Sequence, residues 1–218
     1  MRLVVFDVDG TLIDSQDHIH HAMAYAFGQV GLAPLPKARV LSIVGLSLPV
    51  AVAQLAPWTD PATQARIVAA YRDSFRRARL DHAAPLYPGA LACLDALAAR
   101  DDLLLAVATG KSRRGVDAMI AAHALEGRFV SLQTADGHPS KPHPAMLEQA
   151  MADTGVAADR AIMVGDTSFD IEMAGHAGMA ALGVGWGYHR TEELWQAGAR
   201  AVAPDFPALT RLIEEWSA

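Results

Sequence analysis

The sequence predicts an α/β fold: a parallel sheet core with helices on both faces, carrying one inserted all-helical domain. Three observations predict it. Short apolar runs at residues 3–6, 103–108 and 161–164 have the length of strands, and each is closed by a polar or glycine-bearing turn signal. Between them lie stretches of helical period, and strands alternating with helices imply a parallel sheet covered on both faces. One block, residues 14–83, breaks the alternation with helical patterning alone. The core is therefore assigned to residues 1–13 and 84–218, and the inserted domain to residues 14–83.

Composition bounds the function classes. With 218 residues, 52% of them hydrophobic and 19% charged, the chain is long enough to bury a sizeable core and too apolar to stay disordered. A net charge of −6 argues against non-specific nucleic-acid binding, which needs clustered cations. It leaves an anionic substrate open, because a bound metal inverts the local field. Cys93 is the single cysteine, so no internal disulfide forms; its neighbours Leu91, Leu94 and Leu97 mark it as a buried core thiol. The first residues lack a signal-peptide pattern, and the longest apolar run, residues 103–108, is far short of a membrane span. A cytoplasmic protein without a membrane partner is expected.

The elements follow in order. Val4, Val5 and Phe6 form a buried strand that ends in Asp7-Val8-Asp9-Gly10-Thr11-Leu12. On an ideal strand Asp7 and Asp9, two apart, would point the same way. Residues 18–30 read as an amphipathic helix, with Ile19, Met23, Ala26, Phe27 and Val30 on one face and Gly31 closing it. Pro34 and Pro36 break the chain, and Val40, Leu41 and Val44 suggest a short helix before Gly45-Leu46-Ser47-Leu48. Pro49 opens another helix, and a longer one carries Ile67, Ala70, Tyr71, Phe75 and Ala78, with Arg66, Arg72, Arg76, Arg77 and Arg79 around it. Beyond residue 86 come a helix over 90–99, a strand over 103–108 leading to Thr109-Gly110-Lys111, and a helix over 115–125. A strand over 129–132, a polar loop through Lys141 and a helix over 144–151 follow. Then come a strand over 161–164 ending in Gly165-Asp166, a helix over 171–177, strands at 179–184 and 201–202, and a last helix over 209–216.

Strand ends thus carry complementary chemistry. Asp7 and Asp9 follow the first strand, Thr109 the second and Asp166 a later one; Asp170 lies four residues on, the spacing of one helical turn. In open α/β sheets ligands bind at the carboxyl edge. Alone, the first stretch also reads as a strand and an ordinary Asp-Gly turn. Two carboxylates held together either gather a cation or keep one proton. With the later residues they form a cluster of carboxylates, a hydroxyl and an ammonium, which suits Mg²⁺ and a phosphoryl group. Lys141 sits in Pro139-Ser140-Lys141-Pro142-His143-Pro144, whose prolines restrict the loop. Asp170 also reads as a helix cap, His143 as a loop-packing residue, Lys111 as a solvated loop residue, and the arginines of residues 66–79 as a solvated helix face. His18, His20 and His21 lack the companions of a zinc site.

In its whole length the chain resembles the haloacid dehalogenase superfamily in its phosphatase branch, and within it the phosphoglycolate-phosphatase-like subgroup. The motifs that carry the resemblance are Asp7-Val8-Asp9-Gly10-Thr11, Thr109 after an apolar strand, Lys141 before Pro142, and Gly165-Asp166-Thr167-Ser168-Phe169-Asp170. The resemblance implies a Rossmann-like core and makes the inserted helical domain a cap. It implies a Mg²⁺-dependent phosphatase: Asp7 the nucleophile that forms an aspartyl-phosphate, Asp9 the acid and base, Thr109, Gly110 and Lys141 the phosphoryl holders. Asp7, the backbone carbonyl of Asp9, Asp166 and Asp170 would bind Mg²⁺. Gly45 and Leu46 begin the expected substrate-facing loop of the cap, and the expected partner is a small phosphorylated metabolite such as phosphoglycolate, met by a monomer or homodimer.

Three other functions compete. A sugar-phosphate mutase like β-phosphoglucomutase would need a histidine about ten residues beyond Asp9, where this chain has Ile19 between His18 and His20. It would also need a basic residue where Leu48 stands. A dehalogenase needs neither a second acid nor magnesium. A non-catalytic binder of a phosphorylated ligand would have no use for a complete catalytic set.

Overall fold

A computed structural model of the chain describes residues 1–81 and 83–218. The side chains of residues 78–81 are outside that description, so the expected facing of Ala78 and Arg79 lies outside it as well. Six strands form one parallel sheet: β1 (Arg2–Phe6), β2 (Leu103–Thr109), β3 (Ser131–Thr134), β4 (Ala161–Gly165), β5 (Ala180–Val184) and β6 (Ala201–Ala203). Their spatial order is β3-β2-β1-β4-β5-β6. The chain winds outward from β1 on one side and then returns to wind outward on the other. The crevice between the carboxyl ends of β1 and β4 is the switch point where such sheets bind ligands.

The apolar runs are continuous because the strands are buried on both faces. In β1, Leu3, Val4, Val5 and Phe6 are all fully buried, yet they divide by the strand's period of two. Val4 and Phe6 join Leu105, Val107, Ile162 and Val164 on one face. Helices α5 (Ala90–Ala98) and α10 (Phe206–Ser217) cover that face with Cys93, Leu94, Leu97, Leu209 and Ile213, and α6 (Arg113–Ala122) adds Met119. Leu3 and Val5 join Ala106, Ala108 and Met163 on the other, under Met146 and Leu147 of α7 (Ala145–Thr154), Ile171 and Met173 of α8 (Ser168–His176) and Leu194 of α9 (Thr191–Ala197). Cys93 is buried, as expected, and burial pushes its thiol pKa up.

Four helices fill the stretch between β1 and α5: α1 (Gln16–Gln29), α2 (Lys37–Leu41), α3 (Leu48–Leu55) and α4 (Pro61–Asp81). They bury an apolar cluster of their own, built on Ile19, Met23, Phe27, Val52, Leu55 and Ile67, with α1 and α4 packed along one another. Ser47 of the α2–α3 connection donates its backbone N–H to Ser140 Oγ at 2.8 Å, so this layer closes directly over the sheet edge.

Several boundaries differ from the sequence expectation, for identifiable reasons. β3 lies two residues later than expected, at Ser131–Thr134, and leaves Val130 exposed. Its inward polar residues are satisfied locally: Ser131 Oγ and Gln133 Nε2 donate to Asp153 Oδ2 at 2.8 and 2.7 Å. Helix α6 starts earlier because Ser112 caps it, accepting from the Gly115 N–H at 3.2 Å. Helix α9 was not anticipated, although its signals are present. Glu193 accepts from the Arg190 N–H at 3.1 Å, and Gly198 ends the helix with φ +104°. Among the described residues no helix is long and apolar enough to cross a membrane.

Candidate active site

The site is assembled at the switch point. The Asp7 N–H donates to Val164 O at 2.9 Å, extending the β1–β4 ladder by one step and delivering the Asp7 side chain to the crevice. The chain then folds back: the amides of Thr11, Leu12 and Ile13 all reach Val8 O at 2.9–3.2 Å. Gly10 permits this turn. Its φ is +86°, and a Cβ there would lie 2.2 Å from Asp166 Oδ2. The turn begins after Asp9, so both aspartates lie on the segment that leaves β1, and both line one cavity. Asp7 is buried, and Asp9 is partly exposed.

Asp166 follows β4. Thr11 Oγ1 donates to its Oδ1 at 2.9 Å, and the Tyr188 N–H donates to its Oδ2 at the same distance. Asp170 is the third residue of α8, so Asp166 and Asp170 do not occupy one helical turn. They converge because the strand ends and the helix begins between them. Both readings of Asp170 hold at once: its Oδ2 accepts from the N–H and the Oγ1 of Thr167, closing a capping box, while its Oδ1 accepts from Lys141 Nζ at 2.6 Å. Lys141 also lies 3.1 Å from Asp7 Oδ1.

Among the described residues, Asp7, Asp166 and Asp170 offer oxygen atoms within 4.8 Å of one another, all buried. Three buried carboxylates share one ammonium, so the cluster is richer in acids than in cations. The consequences are visible at each group. Burial raises the Asp7 pKa to about 6, with the Asp170 charge adding to the rise and Lys141 opposing it. Burial, then Asp170 and Asp7, push Asp166 well above the ordinary carboxylate range. Burial works against the Lys141 charge, but Asp170 and Asp7 together outweigh it and hold its pKa above the usual lysine value. Both oxygens of Asp7 are buried with no hydrogen-bond donor aligned on them. Buried acceptors are ordinarily satisfied. Oxygen-only ligands, excess negative charge and orphaned lone pairs together fit a hard divalent cation such as Mg²⁺.

The Asp9 carboxylate is engaged elsewhere. Lys111 Nζ donates to both its oxygens at 2.7 Å, and Ser15 Oγ donates to Oδ1 at 2.6 Å. Since the single Ser15 hydroxyl proton goes to Asp9, the Tyr188 hydroxyl, 3.1 Å away, is the donor to Ser15. Lys111 therefore corrects the expectation of a solvated loop residue: its side chain is 8% exposed and lies 4.9 Å over the Phe75 ring of α4. Lys111, Ser15 and Tyr188 were all missed by sequence reasoning. Only the position of Lys111, two residues past Thr109, hinted at the site.

Thr109 ends β2, buried, and its Oγ1 accepts from the Lys111 N–H at 3.3 Å. Asp7, Asp9, Thr109 and Gly110 line one side of a cavity of about 770 Å³. Gly45, Leu46, Ser47 and Leu48 line the other, together with Ile19, Met23, Tyr71 and Phe75. Lys141, Asp166 and Asp170 are buried beneath its floor. Of the histidines around the mutase position, His18 packs edge-on against Phe75 and His20 approaches Leu35 O at 3.4 Å, so the residue facing the cavity there is Ile19. His143 is exposed and serves its own loop, accepting from the Ala145 N–H at 3.2 Å. Of the described arginines in residues 66–77, Arg72 and Arg76 reach the cavity, and Arg76 is paired with Asp73 at 2.9 Å.

Comparison with known proteins agrees with this geometry. The family model for haloacid dehalogenase-like hydrolases matches residues 4–184. The chain is 37% identical to a protein named "Probable phosphatase IndB" from Dickeya dadantii, over 94% of this chain and 90% of that one. It is 35% identical to a phosphoglycolate phosphatase from Rhodospirillum rubrum, over 95% of this chain and 89% of that one. A crystal structure of a predicted phosphatase from Clostridium acetobutylicum superposes with a TM-score of 0.88 at 27% identity, covering 98% of each chain. Sequence, fold and site converge, and the chain belongs to the haloacid dehalogenase-like hydrolase family, on its phosphatase side.

Proposed function

We propose that the protein is a Mg²⁺-dependent phosphatase that hydrolyses a small phosphomonoester through an aspartyl-phosphate on Asp7. The observation that carries this reading is the Asp7 carboxylate, with two buried oxygens lacking donors, beside Lys141 and two further buried carboxylates. Asp7, Asp166 and Asp170 would hold the ion, with the Asp9 backbone carbonyl, and Mg²⁺ when bound supplies positive charge to the phosphoryl oxygens and to the nucleophile. Asp7 attacks phosphorus, and the bond to the leaving oxygen breaks as Asp9 gives that oxygen a proton. Asp9 then takes a proton from the water that hydrolyses the aspartyl-phosphate. Thr109 and the Gly110 N–H orient the phosphoryl oxygens, and Lys141 balances the charge of Asp7 and of the phosphoryl group.

Gly45 and Leu46 stand where a substrate-facing loop of the cap would read the leaving group and exclude water. A two-carbon acid phosphate such as phosphoglycolate is the leading candidate by relationship, and the partner is a small phosphorylated metabolite in the cytoplasm. A cavity of about 770 Å³ also admits larger leaving groups. Ile19 at the cavity wall weighs against a mutase, which needs an acid-base residue there to return the phosphoryl group.

A panel of phosphorylated metabolites assayed for phosphate release, with Mg²⁺ and with chelator, tests the reading. Release is expected only with the metal, and Asp7→Asn should abolish it. Wild-type turnover by Asp7→Asn would remove Asp7 as the nucleophile.

A further inference from the structure

We propose that Lys111 is a positioning residue that aligns the Asp9 carboxylate, and that the aromatic ring of Phe75 ties this alignment to the cap. The inference deepens the phosphatase reading, because it assigns a task to a residue that serves the acid-base group of that reaction.

The geometry is specific. Lys111 Nζ sits equally between both Asp9 oxygens, at 2.7 Å from each, which fixes the carboxylate's rotation. Ser15 Oγ, at 2.6 Å from Oδ1, anchors the same group from the chain that leads into α1. The ammonium also lies 4.9 Å over the Phe75 ring, a cation–π contact with the face of a residue in α4. Phe75 is itself braced, stacked on Tyr71 with centroids 5.6 Å apart and met edge-on by His18 at 6.3 Å. One side chain thus touches the acid-base residue of the core and an aromatic residue of the cap.

The path of the lysine is built for it. Its stem runs past Gly115, where a Cβ would lie 2.6 Å from Lys111 Cγ and 3.1 Å from Cδ. Its own backbone is held at both ends: the N–H donates to Thr109 Oγ1 at 3.3 Å, and the carbonyl accepts from the Ala135 N–H at 3.2 Å. A lysine placed merely to balance charge needs neither a glycine cradle nor an aromatic lid. When α4 lifts away, the ammonium loses the face of Phe75 and gains water, and its hold on Asp9 loosens. Asp9 is then aligned for proton transfer only while the cap covers the site.

Two measurements test this. The first needs no catalysis. The chain has three lysines, Lys37, Lys111 and Lys141, so reductive methylation can be read residue by residue by mass spectrometry. Lys111 should label at least about tenfold more slowly than surface Lys37, and Phe75→Leu should raise its rate toward that of Lys37. Equal labelling of Lys111 and Lys37 in the wild type would overturn the proposal, whether or not the protein is a phosphatase.

The second is a leaving-group comparison on the Mg²⁺-loaded enzyme. Lys111→Met should lower kcat/KM for an alkyl phosphate about 100-fold, and for p-nitrophenyl phosphate by less than about threefold, because a nitrophenolate leaves without a proton. Gly115→Ala, which keeps the lysine and displaces its stem, should show the same alkyl-selective loss. An equal loss on both esters in Lys111→Met and Gly115→Ala would reduce Lys111 to a structural ion pair. Phosphate release from neither ester by the wild type would instead count against the phosphatase reading, and the labelling result then decides the Lys111 contact alone.

Discussion

Replacing Lys141 with methionine isolates the electrostatic logic of the site. The substitution keeps the length and apolar stem of the side chain and removes the ammonium that lies 3.1 Å from Asp7 and 2.6 Å from Asp170, with no exposed surface on the lysine. At an effective dielectric of about 20, Coulomb's law gives roughly 5–6 kcal/mol for each pair. Relief from burying the ammonium returns much of that, and experience with broken buried pairs puts the net loss at about 3–5 kcal/mol. For a chain of this length each kcal/mol moves the melting temperature by about 2–4 °C, so a fall of roughly 6–20 °C is expected. The assay is thermal unfolding by circular dichroism in chelator at pH 7.5, repeated with millimolar Mg²⁺. The ion should recover part of the loss, because it offers positive charge to the same three carboxylates. A Lys141→Met protein that melts within about 2 °C of wild type in chelator, with no response to Mg²⁺, would refute the picture of a charge-starved acidic pocket.

Other perturbations probe neighbouring links. A Cβ on Gly110 would lie 2.5 Å from Gly45 O and 2.7 Å from Leu46 O, both backbone atoms that cannot rotate aside. Gly110→Ala should therefore push the cap loop off the sheet edge, lowering kcat/KM roughly tenfold or more and stability by about 1–3 kcal/mol; unchanged steady-state kinetics would show that the loop does not close on Gly110. In chelator, the stability of the wild type relative to Asp7→Asn should fall as pH rises from about 4 to 6. Asp7 has a pKa near 6 in the folded protein against 3.8 for the free group, so the folded state holds a proton that the unfolded state releases. Asp7 alone contributes about 3 kcal/mol to that decline, and the raised pKa of Asp166 acts in the same direction. Urea titrations of wild type and Asp7→Asn across this range measure the difference, and parallel pH profiles would contradict it. Mg²⁺ at 100 times its dissociation constant should stabilise the wild type by about 2.7 kcal/mol and Asp166→Ala far less, readable as the shift in urea midpoint.

The local pattern of residues determined a great deal. A strand buried on both faces must be apolar without interruption, so residues 3–6, 103–108 and 161–164 announced the centre of the sheet, and the polar residues that close them marked its carboxyl edge. Asp7, Thr109 and Asp166 were legible for that reason, and Lys141 through the prolines around it. The helical block was legible as the one break in the alternation. Edge elements were read less well. β3 buries serine and glutamine where hydrophobic residues were sought, because Asp153 satisfies them, and α9 rests on a capping pair and a terminal glycine more than on periodicity.

Only the tertiary structure decided how the charges divide. Periodicity reports which side of an element is buried and says nothing of what lies across from it. Asp7 and Asp9, two apart in the chain, take different partners: one joins a trio of buried carboxylates, and the other pairs with a lysine 102 residues away. A lysine carries four flexible carbons and reaches solvent or a partner with equal ease. Lys111 turned inward because Gly115 leaves its stem a path and Phe75 covers its head, and both are facts of packing between segments. Asp166 likewise takes its donors from Thr11, 155 residues away, and from the backbone of Tyr188, so its orientation exists only once the sheet has brought those strand ends together.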